Sequence, residues 1–216
     1  MMRSRLALAP FCGAAAAFLY AACVPACAQT AAATATAPAS SAATIEAQRI
    51  SVSGIHNAGK VTDSLYRGAQ PAKKGFAELK KLGVTTIVNL RTGRQGSTAE
   101  RKEVETLEMR YVNIPVGGWS PPSNAQVAQF LSLSKNADGQ KIFVHCHFGD
   151  DRTGVMIATY RIALEHWTAD QAVQEMRSFG FHHHWHPKME AYVRSFPEAL
   201  AKDPALAAFR SKMEQK

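Results

Sequence analysis

One run constrains this chain more than any other: Val144-His145-Cys146-His147-Phe148-Gly149-Asp150-Asp151-Arg152-Thr153-Gly154. Before it, Lys141 to Val144 carries the β-branched Ile142 and Val144, the pattern of a short buried strand. After it, Val155, Met156, Ile157, Ile162 and Leu164 form the apolar side of a helix. A strand, a tight loop and a helix start therefore meet at Cys146. A loop closing onto a helix N-terminus presents unpaired backbone N–H groups and a positive dipole end, which favour a phosphate dianion. The same field favours a thiolate over a thiol, and Arg152 adds a planar fork that can grip two phosphate oxygens. A lone cysteine is more often a small buried hydrophobe. Here the Cys146–Arg152 spacing and the placement of Gly149 and Gly154 outweigh that reading.

The rest of the chain alternates strands and helices. Leu65 to Arg67, Val84 to Leu90, Tyr111 to Val116 and Lys141 to His145 read as strands. Pro71 to Leu82 reads as a helix with Phe76, Leu79 and Leu82 on one face, ended by Gly83. Further helices are predicted over Thr98 to Met109, with charged faces, and Ser123 to Asn136, capped by Ser123. Arg152 to His166, Ala169 to Phe179, Pro187 to Leu200 and Pro204 to Gln215 complete the set. The alternation predicts an α/β layered domain with a partly parallel sheet, its active residues at the carboxyl ends of the strands.

The run from His145 to Gly154 resembles the signature loop of cysteine-based protein phosphatases, and most closely the compact dual-specificity-like members found in bacteria. Ser64-Leu65-Tyr66-Arg67-Gly68-Ala69-Gln70-Pro71 looks like the segment that opens that family's core, and Thr85 to Arg91 looks like its second core strand. The similarity covers roughly residues 50 to 200. It implies a three-layer domain with a central, partly parallel sheet flanked by helices, and a phosphomonoester hydrolase working through a cysteinyl-phosphate on Cys146. His147, Phe148, Gly149, Asp150 and Arg152 would hold the phosphate. By the same resemblance the Thr153 hydroxyl lies near the sulfur and stabilises the leaving thiolate. His145 is expected to brace the loop, and Gly154 to allow close helix packing beside it.

The general acid departs from that family's pattern. The aspartate usually sits on an upstream loop, but Pro115 to Asn124 holds no Asp or Glu. Three sources fit. Asp151, directly before Arg152, leads, because inositol-lipid phosphatases of the myotubularin type carry Asp there and lack the upstream one. Asp150 then reads as a solvated or loop-bracing carboxylate. A histidine, from His147 or the His182-His183-His184-Trp185-His186 run, is the second source. Absence of a strong acid is the third, and it would restrict the enzyme to good leaving groups.

The N-terminus reads as a leader. Arg3 and Arg5 precede an apolar stretch from Leu6 to Val24, and Ala26-Cys27-Ala28 forms a cleavage site. Residues 1–28 are thus expected to be a signal peptide, 29–48 a flexible Ala/Thr/Ser-rich tether and 49–216 the phosphatase domain. A periplasmic or secreted bacterial protein follows, without stable membrane insertion once the leader is removed; a lipoprotein using Cys23 or Cys27 is the lesser option. Cleavage leaves Cys146 as the only cysteine and lowers the formal charge from +8 to +6. That balance suits a phosphorylated protein or a small anionic phosphate ester as partner. No basic stripe interleaved with aromatics points to nucleic acid.

No cofactor and no metal are expected. The histidine run invites zinc or copper, but adjacent residues cannot all face one ion and no acidic or cysteine ligand flanks them. Trp119 reads equally as a pocket wall or a core residue, while Arg67 and Arg91 read as lining the pocket entrance or, the favoured reading, as structural salt bridges. A rhodanese-like sulfurtransferase lacks this full signature, and an arsenate reductase would need it near the N-terminus. A phospholigand-binding protein of low activity stays open, as does an inositol phosphate or phosphoinositide substrate in place of a phosphoprotein.

Overall fold

The computed structural model describes residues 46–135 and 139–210, with 94–97 described by their backbone alone. The leader, the cleavage site, most of the tether and the chain beyond 210 lie outside the described residues. In chain order the elements are β1 (Gln48–Arg49), β2 (Gly59–Lys60), β3 (Leu65–Gly68), α1 (Lys73–Lys81), β4 (Val84–Asn89), α2 (Arg94–Thr106), β5 (Arg110–Asn113), α3 (Asn124–Lys135), β6 (Lys141–His145), α4 (Asp151–Glu165), α5 (Ala169–Ser178), α6 (Pro187–Lys202) and a 3-10 turn (Pro204–Phe209).

The strands form one sheet in the order β1-β2-β3-β6-β4-β5. β3, β6, β4 and β5 run parallel, and β1 and β2 add an antiparallel edge that sequence reading did not anticipate. Period-2 alternation divides the buried strand residues between two cores. Leu65, Val88, Ile142 and Val144 pack with α3, α4, α5 and α6. Tyr66, Ile87 and Phe143 pack on the other face with Phe76, Leu79 and Val104 of α1 and α2. The sheet thus lies between two helical layers, as expected. Among the described residues no helix is long and apolar enough to cross a membrane.

Register sets the site. His145 pairs with Gly68 on one side and Asn89 on the other, and Asn89 pairs with Asn113. The carboxyl ends of all four parallel strands therefore reach the same level, and the loop after β6 springs from that row.

Local signals explain the boundaries. Gly83, at φ +84°, closes α1 with its N–H donating to the Lys80 carbonyl (2.9 Å). Ser123 Oγ accepts from the Gln126 N–H (3.3 Å), and Gln126 Oε1 accepts from the Ser123 N–H (2.8 Å), so the predicted cap is a full capping box. Helix α2 starts earlier than expected, because Gly93 at φ +109° turns the chain directly into it. The last segment is a 3-10 turn over Pro204–Phe209 where an α-helix was expected. The Asp203 carboxylate accepts from the Ala205 N–H (2.8 Å), and Leu206 and Phe209 drop into the core.

Candidate active site

The loop between β6 and α4 wraps around a buried sulfur. Cys146 is 1% exposed, and the Gly149 N–H points at its Sγ (3.3 Å). Gly149 adopts φ +77°, and a Cβ there would lie 2.4 Å from the Gly68 carbonyl carbon. Only glycine fits that approach of loop to β3. The backbone N–H groups of His147, Phe148, Asp150 and Arg152 have no acceptor among the described residues. Unbonded donors in a loop at the start of α4 can serve as an anion cradle. Arg152 is half-buried at the cleft, and its guanidinium makes no hydrogen bond or ion pair with the described residues. Its donors are free for phosphate oxygens.

The other loop residues sort by position. Asp150 is buried and caps α4, its Oδ1 accepting from the Asp151 N–H (2.7 Å), so it is a loop brace and not a solvated carboxylate. Phe148 lines the cleft, whereas the His147 ring packs edge-on against Phe148 and is not among the lining side chains. Thr153 Oγ1 is fully enclosed and without a hydrogen-bond partner; the expected contact to the sulfur is not among its hydrogen bonds. Gly154 is freer than expected, since a Cβ there would come no closer than 3.4 Å to the Met176 side chain.

Behind the loop His145 braces it as expected, within a polar network whose other members sequence reading missed. His145 is sealed from solvent; its Nδ1 donates to the Cys146 carbonyl (2.9 Å) and its Nε2 meets Glu100 Oε1 (2.7 Å). The other Glu100 oxygen accepts from the Asn89 and Gln70 amides, each at 2.7 Å. Gln70 also accepts from Arg91, and its N–H donates to the His147 carbonyl (3.1 Å). Glu100 belongs to the helix expected to have charged faces; it is 5% exposed. Nothing in its local spacing gave it away, because its partners lie on other elements.

A second brace comes from the β3 side. Arg67 is fully buried and donates from Nη2 to the Gly149 carbonyl (2.8 Å), with its guanidinium 4.0 Å over the Phe179 ring. Its Nε and Nη1 have no partner. Burial pulls its pKa down to about 10, partly offset by Glu175, Cys146 and Asp150. Arg67 was expected to form a salt bridge; a carbonyl and a ring face hold it instead. Asn57 adds amide contacts to the Phe148, Gly149 and Phe179 carbonyls.

In front of the loop is a cleft of about 650 Å³ lined by Gly118, Trp119, Phe148, Asp150, Asp151, Arg152, His182, Trp185 and His186. Trp119, Phe148 and Trp185 are 68%, 65% and 70% exposed, so Trp119 is a pocket wall and not a core residue. Asp151, the first residue of α4, is mostly enclosed. Its Oδ1 accepts from the His182 backbone N–H (3.0 Å), and its Oδ2 lies 3.2 Å from His186 Nε2. The structure thus joins Arg152, Asp151 and part of the histidine run in one cleft, with Cys146 buried within the loop beside them and not itself among the lining residues. The acid-free loop from Pro115 to Asn124 contributes Gly118 and Trp119 to its wall.

A sulfur beneath an anion cradle, with an unpaired arginine and a carboxyl at the rim, defines the site class of cysteine-dependent phosphatases. Residues 46–194 match the family model PTP-NADK, described as a DSP-PTPase phosphatase fused to NAD+ kinase, and the chain belongs to that family. The dual specificity protein phosphatase 26 of Rattus norvegicus is 28% identical over 140 residues, 61% of this chain and 65% of that protein. The dual specificity protein phosphatase TpbA of Pseudomonas aeruginosa strain UCBPP-PA14 is 29% identical over 126 residues, 58% of this chain and 55% of that protein. The chain therefore spans less than two thirds of either relative. The crystal structure of a P. aeruginosa TpbA variant in complex with pTyr superposes with a TM-score of 0.60 at 26% identity, covering 71% of this chain and 91% of that one.

Proposed function

We propose that this protein hydrolyses phosphate monoesters through a cysteinyl-phosphate on Cys146, with phosphotyrosine-type aryl phosphates as the preferred substrates. The carrying observation is the placement of Cys146 Sγ beneath a loop whose free N–H groups and unpaired Arg152 face one cleft. The sulfur attacks phosphorus in line while the loop amides and Arg152 hold the equatorial oxygens. Asp151 protonates the leaving oxygen and then takes a proton from the attacking water. Thr153, its buried hydroxyl otherwise unpaired, stabilises the thiolate as it leaves.

The aromatic walls favour an aryl ester. Trp119, Phe148 and Trp185 offer ring faces to a flat leaving group beside the phosphate cradle. The TpbA structure with pTyr supports the same substrate class. The leader-like start, from Arg3 to Ala28, supports a site of action in the periplasm or the medium.

The test is phosphate release from an aryl phosphate by the full chain, alongside Cys146→Ser, with chelator present. Chelator-resistant turnover that disappears in the serine variant is the expected result. Turnover that survives in that variant, or none from the parent, would move the reading to other chemistry or to a phospholigand-binding protein.

A further inference from the structure

The histidine run and the loop carboxylates form a second arrangement in the cleft. The Asp150, Asp151 and His182 ligand atoms all lie within 4.8 Å of one another. His182 Nδ1 is 3.4 Å from Asp151 Oδ1 and 3.7 Å from Asp150 Oδ2. His186 Nε2 is 3.2 Å from Asp151 Oδ2. The contact between His145 and Glu100 gives the scale for a direct imidazole–carboxylate hydrogen bond in this molecule, 2.7 Å. The rim contacts are all longer. Ligands about 2.0–2.1 Å from a tetrahedral zinc ion stand about 3.3–3.5 Å apart. The His182 spacings to the two carboxylates lie near that edge length.

The run supplies its ligands selectively. The His186 N–H donates to the His182 carbonyl (3.0 Å), so one helical turn brings these two rings to the same side. His183 and His184 stack on each other and do not line the cleft. The acidic ligands come from the phosphate loop and not from the flanks of the run. The His186 ring is nine-tenths buried, with its other nitrogen unpaired, so its position is fixed by packing and not by solvent. Two carboxylate oxygens and the His182 nitrogen are a three-ligand set for a divalent transition cation of the zinc class, with the fourth position left to water, while His186 holds the second Asp151 oxygen.

We infer that Asp150, Asp151 and His182 bind one such cation at the mouth of the phosphate loop, and that the bound ion takes Asp151 out of proton transfer. Binding needs only the geometry above; the inhibitory consequence rests on the proposed role of Asp151. Metal occupancy then switches off turnover without oxidising Cys146.

The experiment uses the full chain without a polyhistidine tag, carrying Cys12→Ser, Cys23→Ser, Cys27→Ser and Cys146→Ser so that no thiolate competes for metal. Zn2+ alone is titrated calorimetrically, and Co2+ is followed by its visible absorption. One ion per chain with a tetrahedral cobalt spectrum is expected, and His182→Ala should weaken binding by more than about tenfold. His182→Gln, which keeps the side-chain bulk, is the second variant, and the far-ultraviolet spectrum of each checks its fold. Equal affinity in folded variants and parent, or no stoichiometric binding by the parent, would overturn the inference. Inhibition by Zn2+ and its reversal by chelator are then measured on the chain with Cys146 intact. Metal bound without inhibition would refute the switch alone, and an inactive parent that binds metal would refute the hydrolase reading alone.

Discussion

His145 Nε2 lies 2.7 Å from Glu100 Oε1 in the closed interior, beneath the residue whose carbonyl the same imidazole holds from its other nitrogen. The pair connects helix α2 to the phosphate loop through a single ring. Glu100→Ala leaves the ring and the Gln70 and Asn89 amides without their acceptor. Urea unfolding should show a loss of about 3–5 kcal/mol, the cost of breaking a buried pair from one side. Glu100→Gln keeps the shape and one acceptor oxygen and should cost about 1–3 kcal/mol. A loss below about 1 kcal/mol for the alanine variant would show that the network does not carry the loop.

Gly149→Ala should be far more damaging than Gly154→Ala. At 149 the new Cβ meets backbone at 2.4 Å and the chain sits at φ +77°; at 154 it meets only the Met176 side chain at 3.4 Å. The first change should destabilise by about 1–3 kcal/mol of backbone strain. It should also lower kcat by about 100-fold as the cradle shifts. The second should be close to neutral, because alanine is favoured over glycine in a helix by about 1 kcal/mol. Thermal melts and single-turnover rates on both variants check this.

Asp151→Asn should change the dependence of rate on leaving group. An alkyl phosphate needs its oxygen protonated, so its kcat should fall by about 10²–10⁴-fold. An aryl phosphate with an acidic phenol should lose much less. A series of phenyl phosphates gives the slope, which should steepen in the variant. A uniform fall across the series would move the acid role elsewhere.

Trp119→Ala and Trp185→Ala test the aromatic walls. Each removes a ring that is mostly exposed, so folding should be little affected. Loss of ring contact should raise KM for a phosphotyrosine peptide by about 5- to 30-fold, an aromatic contact of about 1–2 kcal/mol. Phosphoserine peptide should change little. Equal effects on both substrates would argue against an aryl-specific cleft.

What could be read from the chain was what it encodes contiguously. Cys146, Gly149, Arg152 and Gly154 lie within one loop and one helical turn, and the strand before them ends at His145 as expected. Gly83 and Ser123 mark helix boundaries by local backbone chemistry, and these also fell where predicted. The support behind the loop was not legible. Glu100 reaches His145 across 45 positions, and Arg67 reaches Gly149 across 82. Such pairs have no period or spacing, and a charge on an amphipathic helix looks solvated until its partner is known. The β1–β2 edge was missed because two-residue strands carry too little pattern to distinguish from loop.

The braces behind the loop also divide the molecule by how readily its parts open. Freeing Gly149 means breaking its links to Arg67 on β3 and to Asn57 in the loop before β2, and parting it from the β3 backbone against which it packs. The Gly149 amide proton, held on the Cys146 sulfur, should exchange with solvent only through near-global unfolding, while the unbonded amides of the same loop and those around Trp119 and Trp185 exchange through small local openings. The chemical floor is as durable as the fold itself, and the collar around it is left free to adapt to what it admits.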